Sequence, residues 1–352
     1  MCVSPILIPN PNYRNRTELI RKTADTESEY IRVPCNVCSE CVALRQSNLV
    51  QRARCMMLDH YLFFCTLTYN NESLPRKVCS NGLSIPYADV SDLQKMFKRI
   101  RHSNLFTRPF KYFFVTERGK GKGRPHIHGL IFIPKYSDDD KLYPSLIEFK
   151  IRNVLFQEWK RNYGSDKYPV WKPLFTYRTK YVAGRRYSNF DCHYVVPHST
   201  EKGADDVAFY VTKYVLKPST KEKRLQQALK LNLDKDEYEE VWQVVRSRCI
   251  SSNGFGAATD LQKDYVKDCI ERSKNNPNGL QFFASDGLPS PLSRYYRRFV
   301  SSDAAISSVA ASHGPIYCDD RSFQDKLKSI ENGERIVSEV DNRDISEFFI
   351  SD

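Results

Sequence analysis

KYFFVTERGKGKGRPHIHGLIFIP, residues 111–134, decides how this chain folds. Its two ends, KYFFVTE (111–117) and HIHGLIFI (126–133), are rich in aromatic and β-branched residues, which suit a pleated, half-buried surface. Between them RGKGKGRP sets three glycines in eight residues, a strong turn signal. The stretch therefore reads as an antiparallel hairpin. Side chains alternate faces along a strand, so His126 and His128 point the same way. In a symmetric hairpin Glu117 lies opposite His126 and shares that face. Two imidazoles and a carboxylate on one sheet face are a ligand set for a divalent metal, with positions left open to water or substrate. An arbitrary HxH pair is more often two half-buried strand residues. The well-placed glutamate and the basic chain turn the reading towards metal.

Outward from the hairpin, ALRQSNLVQRARCMMLDH (42–59) reads as a basic helix and YLFFCTLTYN (61–70) as a buried strand. ADVSDLQKMFKRIRHS (88–103) carries Val90, Leu93, Met96, Phe97 and Ile100 on one stripe, with Asp89 or Ser91 as N-cap. Residues 144–163 repeat that amphipathic pattern behind a proline, and 175–196 read as a second hairpin turning at 183–186. DDVAFYVTKYVLK (205–217) opens on acids and stops at Pro218, a helix. The order predicts an α+β fold: an antiparallel sheet with helices packed on it, then a mixed, partly helical extension.

The 352 residues carry a net charge of +12, unevenly placed. From Ser301 to Asp352 there are 11 acidic and 5 basic side chains, so the first 300 residues hold +18. A basic body with an acidic tail points to a polyanion, most often nucleic acid. No stretch is long or apolar enough to span a membrane, and MCVSPILIPN lacks the pattern of a signal peptide. The 11 cysteines are then expected as thiols in a reducing cytoplasm. Three are clustered, Cys35, Cys38 and Cys41 in PCNVCSEC. A structural zinc, free thiols and an iron–sulfur cluster all remain open for them; a tetrahedral zinc needs a fourth ligand, for which Cys2 and Cys79 are candidates.

Three basic elements suit DNA. The hairpin tip, with Lys120, Lys122 and Arg124, either touches backbone phosphates or is a solvated turn. It is no nucleotide-binding loop, because GxxxxGK[ST] occurs nowhere and its glycines open no helix. In the second hairpin Arg178, Lys180, Arg185 and Arg186 alternate with Tyr177, Tyr181 and Tyr187, which suits phosphate contact with base stacking. Finally, Tyr210 and Tyr214 share a helical face beside Lys213. Alone that pair reads as packing. Beside a metal that polarises a phosphodiester, and a lysine that offsets developing charge, a phenol becomes a feasible nucleophile.

TLTYN (66–70), Glu117, PHIHGLIF (125–132) and YVTKYVLK (210–217) follow the order of the three motifs of HUH endonucleases, which initiate rolling-circle DNA replication. With PCNVCSEC at the front, the chain resembles the replication initiators of microviruses, in particular the gokushovirus branch. The resemblance runs from about Pro34 to Lys217. It implies metal ligation by His126 and His128, with Glu117 as third ligand, by Mg²⁺ or Mn²⁺. It implies Tyr210 and Tyr214 as alternating nucleophiles with Lys213 beside them. It also implies origin DNA, single-stranded or supercoiled, as substrate, a host helicase and polymerase as partners, and the host bacterial cytoplasm as location. On this reading 1–34 is an irregular N-terminal segment, 35–220 the nicking domain, 221–300 a mixed extension and 301–352 an acidic tail suited to partial disorder. Segment 164–204 is longer than the family pattern. Rival readings are a plasmid or transposon HUH nuclease, a non-catalytic DNA-binding protein, and a cupin-like or non-haem iron enzyme. The last would place its glutamate shortly after the histidines, where GLIFIPK stands instead.

Overall fold

The computed structural model describes residues 5–14, 26–35, 39–119, 123–177, 179–182, 185–188, 190–195, 220–273, 276, 279–283, 289–293 and 295–299. Strands β1 (Ile6–Pro9) and β2 (Tyr30–Val33) pair antiparallel, and helix α1 (Ser39–Met57) follows. Then come β3 (His60–Thr68), a short ladder of β4 (Arg76–Val78) with β5 (Ser84–Pro86), and α2 (Val90–His102). The decisive hairpin forms β6 (Lys111–Arg118) and β7 (Pro125–Pro134), followed by α3 (Tyr143–Glu158). Two small hairpins, β8 (Lys160–Asn162) with β9 (Trp171–Pro173) and β10 (Thr179–Val182) with β11 (Arg185–Ser188), precede β12 (Asp191–Tyr194). The rest comprises α4 (Thr220–Asn232), α5 (Lys235–Val245), β13 (Cys249–Ser251), α6 (Asp260–Arg272), β14 (Gln281–Phe283), β15 (Pro289–Pro291) and a 3₁₀ turn, Tyr296–Phe299.

The fold is α+β. Its main sheet has the order β12-β3-β7-β6-β13, every neighbouring pair antiparallel. Alternation along β7 sorts the sheet's two faces. Ile127, Ile131 and Ile133 join Leu93, Met96, Phe97 and Ile100 of α2 and Ile147, Ile151 and Leu155 of α3 in one core. Full burial of each such side chain contributes roughly 1.5–3 kcal/mol. Gly129 lies on the core face too, and the ring of its cross-strand partner Phe114 occupies the space a side chain would need. On the opposite face Phe255 stacks on Phe113 and tilts against Phe132, covering one end of the sheet.

The chain divides into two compact units, Met1–Cys55 with Thr259–Arg343, and Met56–Ala258 with Asp344–Asp352. The main sheet and α4, α5 and β13 belong to the second unit.

Two elements depart from the sequence reading. The helix expected over 144–163 ends at Glu158, and 160–162 form a strand. Trp159 ends it: fully buried, it donates its indole N–H to the Thr68 carbonyl at 2.7 Å, a tertiary bond that helical periodicity cannot reveal. The hairpin expected over 175–196 is confined to β10 and β11; Asp191–Tyr194 pairs instead with β3 as the sheet's edge strand, with Cys192 facing Cys65 in the core. The α2 stripe and its cap fall as expected, Asp89 accepting from the Ser91 amide at 2.8 Å. The helix expected over 205–217 lies outside the described residues.

Candidate metal centre

The β6–β7 register sets Glu117 directly opposite His126. His128 lies two residues further along the same face, its ring centroid 4.7 Å from that of His126. Both imidazoles converge on one carboxylate oxygen: Glu117 Oε1 is 2.5 Å from His126 Nε2 and 3.0 Å from His128 Nε2. The three ligand atoms lie within 4.8 Å of one another, forming a group that could hold a metal ion. Glu117 and His128 are buried, and His126 is half-buried.

The far nitrogen of each ring is held by the chain. His126 Nδ1 lies 3.0 Å from the Arg124 carbonyl, and His128 Nδ1 lies 2.9 Å from Thr66 Oγ1. A carbonyl only accepts, so Nδ1 of His126 carries the proton and Nε2 is turned towards Glu117. Such anchoring is what fixes tautomer and ring direction in metal-ligating histidines. Gly119 permits this: a Cβ there would come within 3.2 Å of His126 Cε1. Phe64 stacks on the His128 ring at 5.6 Å.

Electrostatics favour a cation. Burial by itself would raise the Glu117 pKa, but hydrogen bonds from His126 and His128 outweigh it and hold the carboxyl at about 2. Burial pushes His128 down, which keeps its imidazole neutral and ready to donate a lone pair. The second carboxylate oxygen, Glu117 Oε2, is buried with no hydrogen-bond partner among the described residues. An anionic oxygen left so is costly unless something cationic meets it. The donor set, two nitrogens and a carboxylate, with this orphaned oxygen, fits a divalent ion.

The other residues singled out from sequence fall as follows. Arg124 ties the hairpin to the loop after β3, donating at 2.8 Å both to Asn71 Oδ1 and to the Tyr69 carbonyl. Lys120, Lys122 and Arg178 lie outside the described residues, as do Tyr210, Lys213 and Tyr214. Lys180 lies in β10, and Arg185 and Arg186 in β11. In the other compact unit Cys35 and Cys41 are buried with their sulfurs 4.0 Å apart. Two thiolates on one tetrahedral zinc lie about 3.8 Å apart, given Zn–S bonds of about 2.3 Å. Cys2 and Cys38 lie outside the described residues, and Cys79 packs with Ile85, Leu225 and Leu229 in the unit that holds the sheet.

Sequence reasoning overlooked Thr66. The signal was available: in TLT of β3, Thr66 and Thr68 sit opposite His128 and His126 in register. It also overlooked Asp191 and His193 on the edge strand β12, an ion pair at 3.5 Å whose imidazole lies 5.3 Å from the Phe64 ring on the same sheet face.

An α+β chain with a His–Glu cluster on one face of an antiparallel sheet is the class that fold and site define. Comparison with known proteins agrees with the motifs. Residues 62–219 match a family model described as a replication-associated protein of the ORF2 kind. A stretch of 115 residues, 32% of this chain, is 29% identical to "Replication-associated protein ORF4" of Chlamydia phage 1. The match covers 27% of that relative, about a quarter of its length. Together these bear out the resemblance to a microvirus-like replication initiator. No solved structure matches the chain. Among the described residues no helix is long and apolar enough to cross a membrane.

Proposed function

We propose that this chain is a DNA-nicking and joining enzyme that initiates rolling-circle replication of a single-stranded DNA phage in its host's cytoplasm. One observation carries the proposal: the Glu117–His126–His128 cluster sits inside the segment that matches the replication-associated family. Glu117, His126 and His128 hold Mg²⁺ or Mn²⁺, which polarises the scissile phosphodiester when bound.

The chain's own residues do the rest. Tyr210 Oη attacks the phosphorus, the P–O3′ bond breaks, and the leaving oxygen takes up a proton. The products are a 5′-phosphotyrosine and a free 3′-hydroxyl, which a host polymerase extends. Lys213 offsets the charge that builds up on the phosphoryl oxygens. When the origin is regenerated, Tyr214 cuts it in the same way. The newly freed 3′-hydroxyl then attacks the first phosphotyrosine, the P–O(Tyr) bond breaks, the phenol regains its proton, and a circle closes. Two phenols one helical turn apart allow this alternation without a second enzyme. Unwinding is left to a host helicase, since the sequence has no phosphate-cradling GxxxxGK[ST] loop.

The test is incubation of the full chain with single-stranded DNA from the origin of its own replicon and Mn²⁺. A covalent protein–DNA adduct is expected. DNA binding without any adduct, at any divalent metal, would reduce the chain to a non-catalytic DNA-binding protein.

A further inference from the structure

The face of the sheet opposite the His–Glu cluster carries helix α2, whose outer side is strongly basic. Met96, Phe97 and Ile100 point into the core, while Lys95 and Lys98 project into solvent. Across from them stands the β8–β9 hairpin. Helix and hairpin border a cavity of about 520 Å³ that includes Lys95, Lys98, Arg99, Lys160, Arg161 and Trp171. A second cavity, about 330 Å³, shares Lys98, Arg99, Lys160 and Trp171.

The groove is built rather than incidental. Buried Asp92 receives Arg161 through two bonds, 2.9 Å from Nε and 2.5 Å from Nη2. Glu158 holds Arg99 Nε at 2.8 Å and Lys160 Nζ at 2.9 Å. These contacts set the Arg99 guanidinium 4.9 Å, and the Lys160 ammonium 5.4 Å, from the centroid of the Trp171 ring. Trp171 is nevertheless 44% exposed, unlike Trp159, which is fully buried. An indole half in water beside fixed cations is costly for the fold alone and useful to a ligand with flat rings. Lys95 and Lys98 have no carboxylate partner among the described residues. Their charge is left for something outside the chain.

A ligand that matches both features carries closely spaced negative charge and stackable faces. Single-stranded DNA does, and it binds through this combination of basic groove and aromatic platform. A small anion would have no use for the indole, and an acidic peptide has charge without regular flat rings. We propose that the α2–β8–β9 groove is a second single-stranded DNA site, on the reverse of the sheet from the His–Glu cluster. Lys95 and Lys98 contact phosphates there, and a base stacks on Trp171. The proposal rests on DNA being the substrate but not on the nicking chemistry. It also gives a use to part of the segment that exceeds the family pattern, since β9 lies within it.

The experiment uses the full chain and a fluorescein-labelled (dT)20 probe, followed by anisotropy over a range of salt. Trp171→Ala should weaken binding about 5- to 100-fold, the worth of one stacked base. Lys95→Ala with Lys98→Ala should reduce the magnitude of the slope of log K against log salt by about 1.4, two phosphate contacts at 0.7 each for single strands. Mn²⁺ titration should be the same in all three proteins. If both variants bind (dT)20 as the parent does, the proposal falls. It falls also if polyglutamate of equal charge displaces the probe as well as unlabelled (dT)20 does, which would mark a surface for acidic protein. The two readings separate cleanly. Origin cleavage with unaffected (dT)20 binding in the variants overturns the groove alone. Absent cleavage with weakened (dT)20 binding overturns the nicking reading alone.

Discussion

Gly129→Ala should damage the sheet from inside, and the size of the effect can be worked out from the geometry. A Cβ on residue 129 would stand 2.1 Å from Cδ1, 2.2 Å from Cγ and 2.5 Å from Cδ2 of Phe114. Carbon atoms that touch need about 3.5–4.0 Å, so strand or ring must yield by about 1.5 Å. The ring has nowhere to go. Phe114 is fully buried, edge-on to Phe97 at 5.3 Å and to Tyr112 at 6.1 Å. Overpacking of this severity lies at or above the upper end of the usual range, about 3 kcal/mol. Urea unfolding followed through the fluorescence of buried Trp159 reports on this unit. Replacing Phe114 by Leu in the Gly129→Ala background should recover at least about 1 kcal/mol, because the clash is with the ring itself and neighbouring residues are not additive. Since residue 129 adjoins His128, Mn²⁺ affinity should fall in the single variant and partly return in the double. A cost below about 1 kcal/mol for Gly129→Ala, or simple additivity of the two substitutions, would refute the close-approach argument.

Four further outcomes are expected. His126→Ala should abolish origin cleavage and Mn²⁺ binding while binding of DNA persists; calorimetry and a gel-shift assay check the two halves separately. Thr66→Val should weaken Mn²⁺ binding about 10- to 100-fold, as loss of a bond to a ligating histidine does, and Thr66→Ser should restore it; equal affinity for all three proteins would leave the Thr66–His128 bond without a role. The hydrogen bonds from Arg108 hold the Asp139 carboxyl at about 2, against an ordinary 3.8, so the pair stabilises the fold above pH 4 and that contribution is lost as pH falls from 4 towards 2; urea midpoints at pH 6, 4 and 3 should fall less steeply in Asp139→Asn. Tyr210→Phe and Tyr214→Phe should each keep some origin cleavage yet fail to close circles, and the double variant should form no adduct; mass spectrometry finding adducts on one residue alone would end the alternation scheme.

What was legible in the sequence had a local cause. The β6–β7 hairpin, the α2 stripe and its Asp89 cap each follow from a pattern within 25 residues, and the Glu117–His126 register follows from folding that hairpin symmetrically. What was hidden depends on distant partners. Residues 160–162 continue the amphipathic pattern of α3, and only the bond from Trp159 to Thr68, 91 residues away, shows why the helix stops. The edge strands β12 and β13 are four and three residues long, too short to register as alternation. Cys192 and Ile250 find their places against Cys65 and Phe114, which lie 127 and 136 positions earlier. Thr66 was legible in principle, because its place on the histidine face follows from the alternation in TLTYN once β3 and β7 are known to pair.

The strand order has a consequence for how such a chain can change. Glu117 and His128 are separated by eleven positions and are placed by a single hairpin, which lies inside the sheet with β3 on one flank and β13 on the other. The 56 residues between Pro134 and Asp191 leave the sheet at β7 and return only at its rim, as β12. Added length on that excursion lengthens a surface detour, and each doubling of a flexible loop costs only about 0.6 kcal/mol. The reacting centre keeps its spacing however long the detour grows. New surfaces such as the β8–β9 hairpin can therefore be gained or discarded by insertion and deletion, while substitutions inside 117–129 are held to the geometry of the cluster.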